Sequence, residues 1–383
     1  MNEAGRSGLV LHIAWVRWWS ALAYHALTIA RGLDQLGRPS RVLAPPGTPL
    51  AVRAAAMGLA SSRWSDLVSS RPDRVIGAIR SLRRAAREGA VSALLVHTGP
   101  GHAAAALALR GGPAPLVRVR SDIRRPARGP VQRWLYSKAT DRIWISGEFM
   151  RGGYLEGLGI DPGRIDLLPA GIDCREAERI DRTAAGGRLR AEHGWSAQAR
   201  VVGMLARYSP VKGHEDFVQA ARILAEGRED VYFLSAGPTG QVGREGVEAW
   251  VRGAGLSRRF AILDAVEDPL SLAAGLDVAV IPSRGSEAVC RSALEYMALG
   301  LPVVATQVHV IPETIGDAGL LVPPADPPAL SRAIQELLDD PERAGRLGEA
   351  AARRVRDEFE IGRIAARAAA LIDEAWRDRN ERD

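Results

Sequence analysis

Short apolar runs alternate with longer amphipathic stretches along most of the chain. Residues 9–15, 41–44, 93–96, 116–119, 142–146 and 164–168 are brief and strongly apolar, whereas 20–36 repeats apolar residues at helical spacing. This alternation predicts parallel strands buried between helices, an α/β architecture. The stretch Pro169-Ala-Gly-Ile-Asp173 breaks it, and a polar segment containing Gly186 and Gly187 runs on to about residue 199. Alternation then resumes at 201–205, 231–236, 260–263, 277–281, 303–305 and 320–322, with helices expected to about 225 and over 244–253. The pattern predicts two doubly wound domains, over 1–170 and 186–359, joined by a linker at 171–185. Two such sheets in tandem are expected to leave a cleft, with ligands bound beyond the carboxyl ends of strands.

Residues 282–305 hold the densest candidate chemistry. Glu287 and Glu295 lie eight positions apart, and Gly300 and Pro302 end the segment before the next strand. A helix beginning near Glu287 would set the two carboxylates about 12 Å apart along its axis and about 80° apart around it. One helix edge could then touch both ends of an elongated ligand, with the helix N-terminus between them suited to a diphosphate. Arg207 and Lys212 lie five residues apart at a strand-to-helix turn that ends in Gly213. Two cations so placed can grip a diphosphate, although taken alone they also read as surface charges beside a turn.

Composition narrows the field. The chain has 383 residues, 46% of them hydrophobic, and no apolar run long enough to span a membrane. Its first apolar run stops at Arg17 and lacks the flanks of a secretory signal. Cys174 and Cys290 are the only cysteines, far apart and without metal-ligand spacing, so a disulfide framework is not expected and a cytoplasmic location fits. The net charge of +6 is unevenly spread: residues 1–173 hold 24 Lys+Arg against 12 Asp+Glu, and residues 174–383 hold 27 against 33. Ten basic and three acidic residues fall between Arg110 and Arg151. That field suits an anionic membrane surface or a phosphorylated acceptor; nucleic acid or a merely solvated arginine-rich face are the alternatives. Only Lys138 and Lys212 among the 51 basic residues are lysine. A compact ammonium at Lys212 therefore hints at a site too narrow for a guanidinium.

Taken together, these motifs resemble the family 4 glycosyltransferases of the GT-B fold, two Rossmann-like doubly wound domains facing a central cleft. The resemblance runs from about residue 90 to about 360. It rests on 141–148, 168–173, 203–213, 235–237, 274–283, the Glu287-x7-Glu295 pair and 312–326. It implies that Glu287 binds donor-sugar hydroxyls, Arg207 and Lys212 the diphosphate, and Glu295 the ribose. Ala288, Val289, Cys290 and Arg291 would offer backbone N–H groups, Gly203 would belong to the donor side, and a C-terminal helix over about 360–383 would pack back on the first domain. It further implies retention of anomeric configuration, a nucleotide diphosphate-sugar donor, no cofactor and no metal. The absence of any Asp-x-Asp triplet agrees with the last point.

Departures from the family pattern fall on both sides of the reaction. Ala288 and Cys290 stand where many members have glycine, which limits the donor loop's access to positive φ. The family's frequent His-Asp on the acceptor side is Ser121-Asp122 here, with Asp122 a candidate to orient or deprotonate an acceptor hydroxyl. An Asp capping a turn, or paired with Arg120 or Arg124, is the competing reading. Arg120, Ser121, His97 and Trp19 complete the expected acceptor side, His102 lies on the same loop as His97, and Trp18 flanks Trp19. The implied acceptor is an anionic, lipid-linked or polysaccharide-linked glycan, with peripheral association at the inner membrane face among the expectations, and nucleic acid is not an expected partner. Three other readings stand beside this one: a dinucleotide fingerprint at Gly99-Pro-Gly101-His-Ala-Ala104, a non-catalytic sugar-nucleotide-binding or membrane scaffold, and a GT-B epimerase or phosphorylase.

Overall fold

The computed structural model describes residues 8–264 and 266–381. It contains two compact units: one runs to Gly171 and resumes at Glu360, and the other spans Ile172–Phe359.

The first unit is built on a six-stranded sheet of β1 (Leu9–Ile13), β2 (Ser40–Leu43), β3 (Val91–Val96), β4 (Leu116–Arg120), β5 (Arg142–Ile145) and β6 (Ile165–Leu167). Its order is β2-β1-β3-β4-β5-β6 and its pairings are parallel. The second unit repeats the plan with β7 (Arg200–Leu205), β8 (Val231–Ala236), β9 (Phe260–Leu263), β10 (Val278–Ile281), β11 (Val303–Thr306) and β12 (Leu320–Val322). Its order is β12-β11-β10-β7-β8-β9, again parallel. Each predicted strand is present, with ends shifted by a residue or two, as expected where fraying sets boundaries. The helix Ala21–Gln35 starts at Ser20, whose side chain accepts from Ala23 N–H at 3.3 Å. In both sheets the winding reverses once, between β1 and β3 and between β10 and β7, and such switch points open ligand sites at strand carboxyl ends.

The helix Ile361–Asn380 packs on the first unit, beside Ala21–Gln35. Gly32 permits the approach, since a Cβ there would lie 2.6 Å from Ala365 Cβ. Trp376 Nε1 donates to Ser92 O at 2.6 Å, and Arg379 pairs with Asp141 at 2.6 Å. The expected linker at 171–185 is instead structured within the second unit. Asp173 caps the helix Cys174–Glu178 and Asp181 caps Arg182–Glu192, which contains Gly186 and Gly187. Arg182 ties that helix to Gly300 O and Leu276 O, both at 3.1 Å. Two aspartate caps and this tertiary anchoring outweigh the helix-weakening glycine pair that suggested a linker. No helix among the described residues is long and apolar enough to cross a membrane.

At the switch point of the first sheet the core is polar. His12 of β1 and His97 just beyond β3 stack with ring centroids 5.4 Å apart, and His12 Nδ1 lies 3.1 Å from His97 Nε2. One imidazole must donate and the other accept, which two neutral tautomers satisfy. Burial pushes His12 down to about 3 and His25 down to about 4. Burial, then the charges His12, His25 and Arg118 would present, takes His97 well below its usual value. Folded-state affinities for protons are thus depressed relative to an unfolded value near 6.5, so the unfolded chain binds more protons as pH falls below about 6.5. Stability should drop between pH 6.5 and 4, by up to about 1.4 kcal/mol per pH unit for each such histidine. Urea unfolding at a series of pH values measures the slope; His97→Asn should flatten it, and a pH-independent midpoint would contradict a neutral buried cluster.

Candidate donor and acceptor sites

The switch point of the second unit gathers the predicted donor residues. Beyond β7 the chain passes Arg207 and a short turn, Pro210–Lys212, before Gly213 opens the helix His214–Gly227. Gly213 has φ of +71°, and a Cβ there would fall 1.8 Å from Pro282 O. Only glycine fits on both counts, and this close approach brings Lys212 to the end of β10. Lys212 Nζ donates to Glu287 Oε1 at 2.5 Å, and Ser283 Oγ donates to the same oxygen at 2.5 Å. Glu287 is 2% exposed, and among the described residues its Oε2 has no hydrogen-bond partner. Burial pulls the Lys212 ammonium down, but Glu287 and Cys290 outweigh it and hold it above its usual value. The Lys212 ammonium therefore keeps its charge at neutral pH.

Glu287 is not on a helix. The helix begins only at Arg291 and runs to Ala298, so the spacing derived for two glutamates on one helix does not apply. Ser286 takes a left-handed φ of 61°, and the backbone at Glu287 pairs with another loop: Val310 N–H donates to Glu287 O at 3.2 Å, and Glu287 N–H to His309 Nδ1 at 3.4 Å. His309 is itself left-handed, with φ of 47°. Inward pull on the carboxylate by Lys212 and Ser283 and this backbone clamp hold residues 286–290 out of helical geometry. Ala288, Val289 and Cys290 form a buried approach to the helix Arg291–Ala298, whose N-cap, Cys290, makes no side-chain cap bond. Burial, then the nearby Glu287, pushes the Cys290 thiol up to about 12, so it stays protonated.

Glu295 is on that helix and mostly buried, held by Arg291 Nε at 2.7 Å and Nη2 at 2.5 Å. Burial raises its carboxyl above the usual range, against the pull of Arg291. Tyr296 OH accepts from Leu205 N–H at 2.6 Å and fixes the helix against β7. Arg207 is exposed, with no ion-pair partner among the described residues, while its carbonyl accepts from His214 Nε2 at 3.1 Å. Arg284, also near the loop, is occupied by Asp216 at 2.5 and 2.6 Å. Gly203 is not with these groups: it sits in mid-β7, where a Cβ would meet Leu276 Cδ2 at 2.5 Å, a packing position. Ser283, His309 and Thr306, whose Oγ1 donates to Ser283 O at 2.6 Å, were missed because a lone sequence gives no sign that these loops converge.

The first unit brings Arg120, Ser121 and Asp122 together, but not as an open acid-base pair. Asp122 accepts from Arg120 Nη2 at 2.8 Å and from Arg124 N–H at 3.0 Å, so it both pairs and caps a turn. Ser121 is buried and lies 2.5 Å from His25 Nδ1, and His97 faces His12. His102 is likewise buried, 2.9 Å from Thr140 Oγ1. Trp19 is half-buried under the Arg53 guanidinium, 4.2 Å from its ring, whereas Trp18 is 75% exposed. Gly101, from the glycine pattern that suggested a dinucleotide site, is left-handed and packs at Val68, where a Cβ would lie 2.9 Å away.

Two family models match the chain: "Glycosyltransferase Family 4" over residues 22–176 and "Glycosyl transferases group 1" over 187–354. A D-inositol 3-phosphate glycosyltransferase of Segniliparus rotundus is 29% identical over 218 residues, 55% of this chain and 47% of that protein. The chain spans about half the length of the curated relatives it matches. Among solved structures, a glycosyltransferase from Rickettsia africae superposes with a TM-score of 0.82 at 18% identity, covering 96% of this chain and 98% of that one. Anabaena HepE in complex with UDP-glucose gives 0.78 at 18%, covering 96% and 99%. With one family model on each half, two parallel six-stranded sheets and the fold shared with solved glycosyltransferases, the chain belongs to the family 4 glycosyltransferases of the GT-B fold.

Proposed function

We propose that the protein is a retaining glycosyltransferase that moves a sugar from a nucleotide diphosphate-sugar to an anionic, lipid- or polysaccharide-linked acceptor. The observation that carries this reading is the Glu287 carboxylate, which spends one oxygen on Lys212 and Ser283 and keeps the other available. An acceptor-only group fixed in this way can take hydrogen bonds from donor-sugar hydroxyls without rearranging. Lys212 and the exposed Arg207 provide cationic charge for the diphosphate, and the first turn of Arg291–Ala298 adds its dipole. In the transfer the bond from the anomeric carbon to the diphosphate breaks with its electron pair kept by the diphosphate oxygen, a bond to the acceptor oxygen forms, and the acceptor proton passes to the departing diphosphate. Charge then accumulates on the departing diphosphate, where preorganised cations lower the barrier most. Glu295, anchored by Arg291, is the proposed ribose contact. The UDP-glucose bound by a structural relative supports a donor of this class. A peripheral position on the inner membrane face belongs to the same proposal and is supported by the basic stretch Arg110–Arg151.

Glu287→Gln keeps the shape of the site and should reduce kcat/KM by about 100-fold or more, with a melting temperature within a few degrees of wild type. Lys212→Ala should lose turnover and also about 3 kcal/mol of stability, because it strands a buried carboxylate. Radiolabelled transfer assays and urea unfolding read the two effects; near-normal turnover in both variants would remove the assignment. The donor class is checked by thermal shift: a bound nucleotide sugar at 100 times its Kd should stabilise the fold by about 2.7 kcal/mol. Flat curves for every donor, beside a rise for none of the free nucleoside diphosphates, would favour a non-binding scaffold.

A further inference from the structure

The first unit buries more positive charge than it neutralises. Arg118 and Arg120 project from β4 and are 3% and 6% exposed. Arg120 has Asp122 as its ion-pair partner, but among the described residues Arg118 has no carboxylate at ion-pair distance. Arg118 Nη1 donates to the carbonyls of Val96 at 2.6 Å and Val119 at 2.8 Å, and the Nε atoms of both arginines are buried without partners. Carbonyl dipoles solvate a guanidinium only in part, and a buried cation without a counter-charge costs several kcal/mol. These two side chains line a pocket of about 240 Å³ together with Asp122, Arg124, Arg125 and Tyr136. Arg124 and Arg125 are exposed and have no ion-pair partner among the described residues. The wall therefore carries four guanidiniums and a single carboxylate. Among its other polar groups, Tyr136 OH accepts from Arg120 Nη1 at 3.1 Å, and although burial raises that phenol, Arg118 and Arg120 outweigh it and hold it below its usual value; His102 stays neutral because burial, then Arg118 and Arg120, lower its proton affinity.

We propose that this pocket is an oxyanion site that takes a phosphate monoester carried by the acceptor. A dianion supplies the missing counter-charge, and guanidiniums bind phosphate oxygens through paired, charge-assisted hydrogen bonds. That an acceptor carries the phosphate rests on the transferase reading, but the site itself stands on the arginines. Asp122 acquires a different meaning here: it offsets Arg120 and moderates the pocket's charge when no anion is bound.

Binding can be read without donor or turnover, so its failure would leave the donor site untouched. Inorganic phosphate is titrated into the full chain at constant ionic strength, with sodium chloride as the balancing salt, and followed by calorimetry and thermal melting. Saturable binding with a rising melting temperature is expected. Arg124→Gln/Arg125→Gln, on the exposed rim where folding is not at risk, should weaken phosphate by about tenfold or more. Asp122→Asn should tighten phosphate while lowering the melting temperature of the free protein, a combination that a purely structural cap would not produce. Glycerol 3-phosphate and vesicles containing phosphatidic acid separate a soluble from a lipid source, and either one, displaced by inorganic phosphate, supports the site. The absence of saturable phosphate binding to wild type, or identical titrations for wild type and the Arg124/Arg125 variant, would overturn it.

Discussion

Much of the geometry of the second unit's site follows from the need to bury one carboxylate. Glu287 is almost wholly out of solvent, and an ionised carboxylate survives there only if paired and hydrogen-bonded. The pairing with Lys212 demands that the β7 loop touch the end of β10, which Gly213 alone permits against Pro282 O. It also demands that residues 286–290 stay out of helical geometry, with left-handed backbone at Ser286 and His309. Strain of this kind persists where surrounding contacts over-determine it, and here Val310 and Thr306 provide them. The helix Arg291–Ala298 begins late for the same reason.

The two units apply one sheet plan to opposite electrostatic ends. Each places polar groups at the reversal of its strand order, where diverging loops leave room. In the second unit the cation and anion are matched one to one, leaving a carboxylate oxygen and the Arg207 guanidinium for a ligand. In the first, neutral imidazoles fill the switch point itself, and at β4 and the loop beyond it four arginines share one carboxylate. The charge asymmetry of the chain is thus concentrated in a pocket as well as spread over its surface.

Strand positions were legible because parallel strands are buried on both faces and appear as uninterrupted apolar runs. Pairing between Lys212 and Glu287 was legible only as two motifs with compatible chemistry, since 75 residues separate them. What failed was local geometry overridden by tertiary contacts. Residues 287–290 look like the start of a helix until Lys212 and Val310 are placed beside them, and 171–185 looks like a linker until Arg182 reaches Gly300 and Leu276. Gly203, which the resemblance puts on the donor side, is a glycine that packing alone requires, since Leu276 occupies the space its side chain would need.

The scarcity of lysine bears on why Lys212 is not arginine in a chain where 49 of 51 basic residues are. Its ammonium must share a single oxygen of Glu287 with the Ser283 hydroxyl while its backbone lies next to Gly213, pressed against Pro282. A guanidinium there would prefer to fork across both carboxylate oxygens and would consume Oε2, the atom left for the ligand. A point charge with rotatable donors satisfies one oxygen and can turn another N–H toward a phosphate. The same reasoning favours arginine in the first unit, where a planar fork can hold backbone carbonyls on one side, as Arg118 does with Val96 and Val119, and an oxyanion on the other. The choice between the two cations therefore follows how many acceptor atoms each site must leave free.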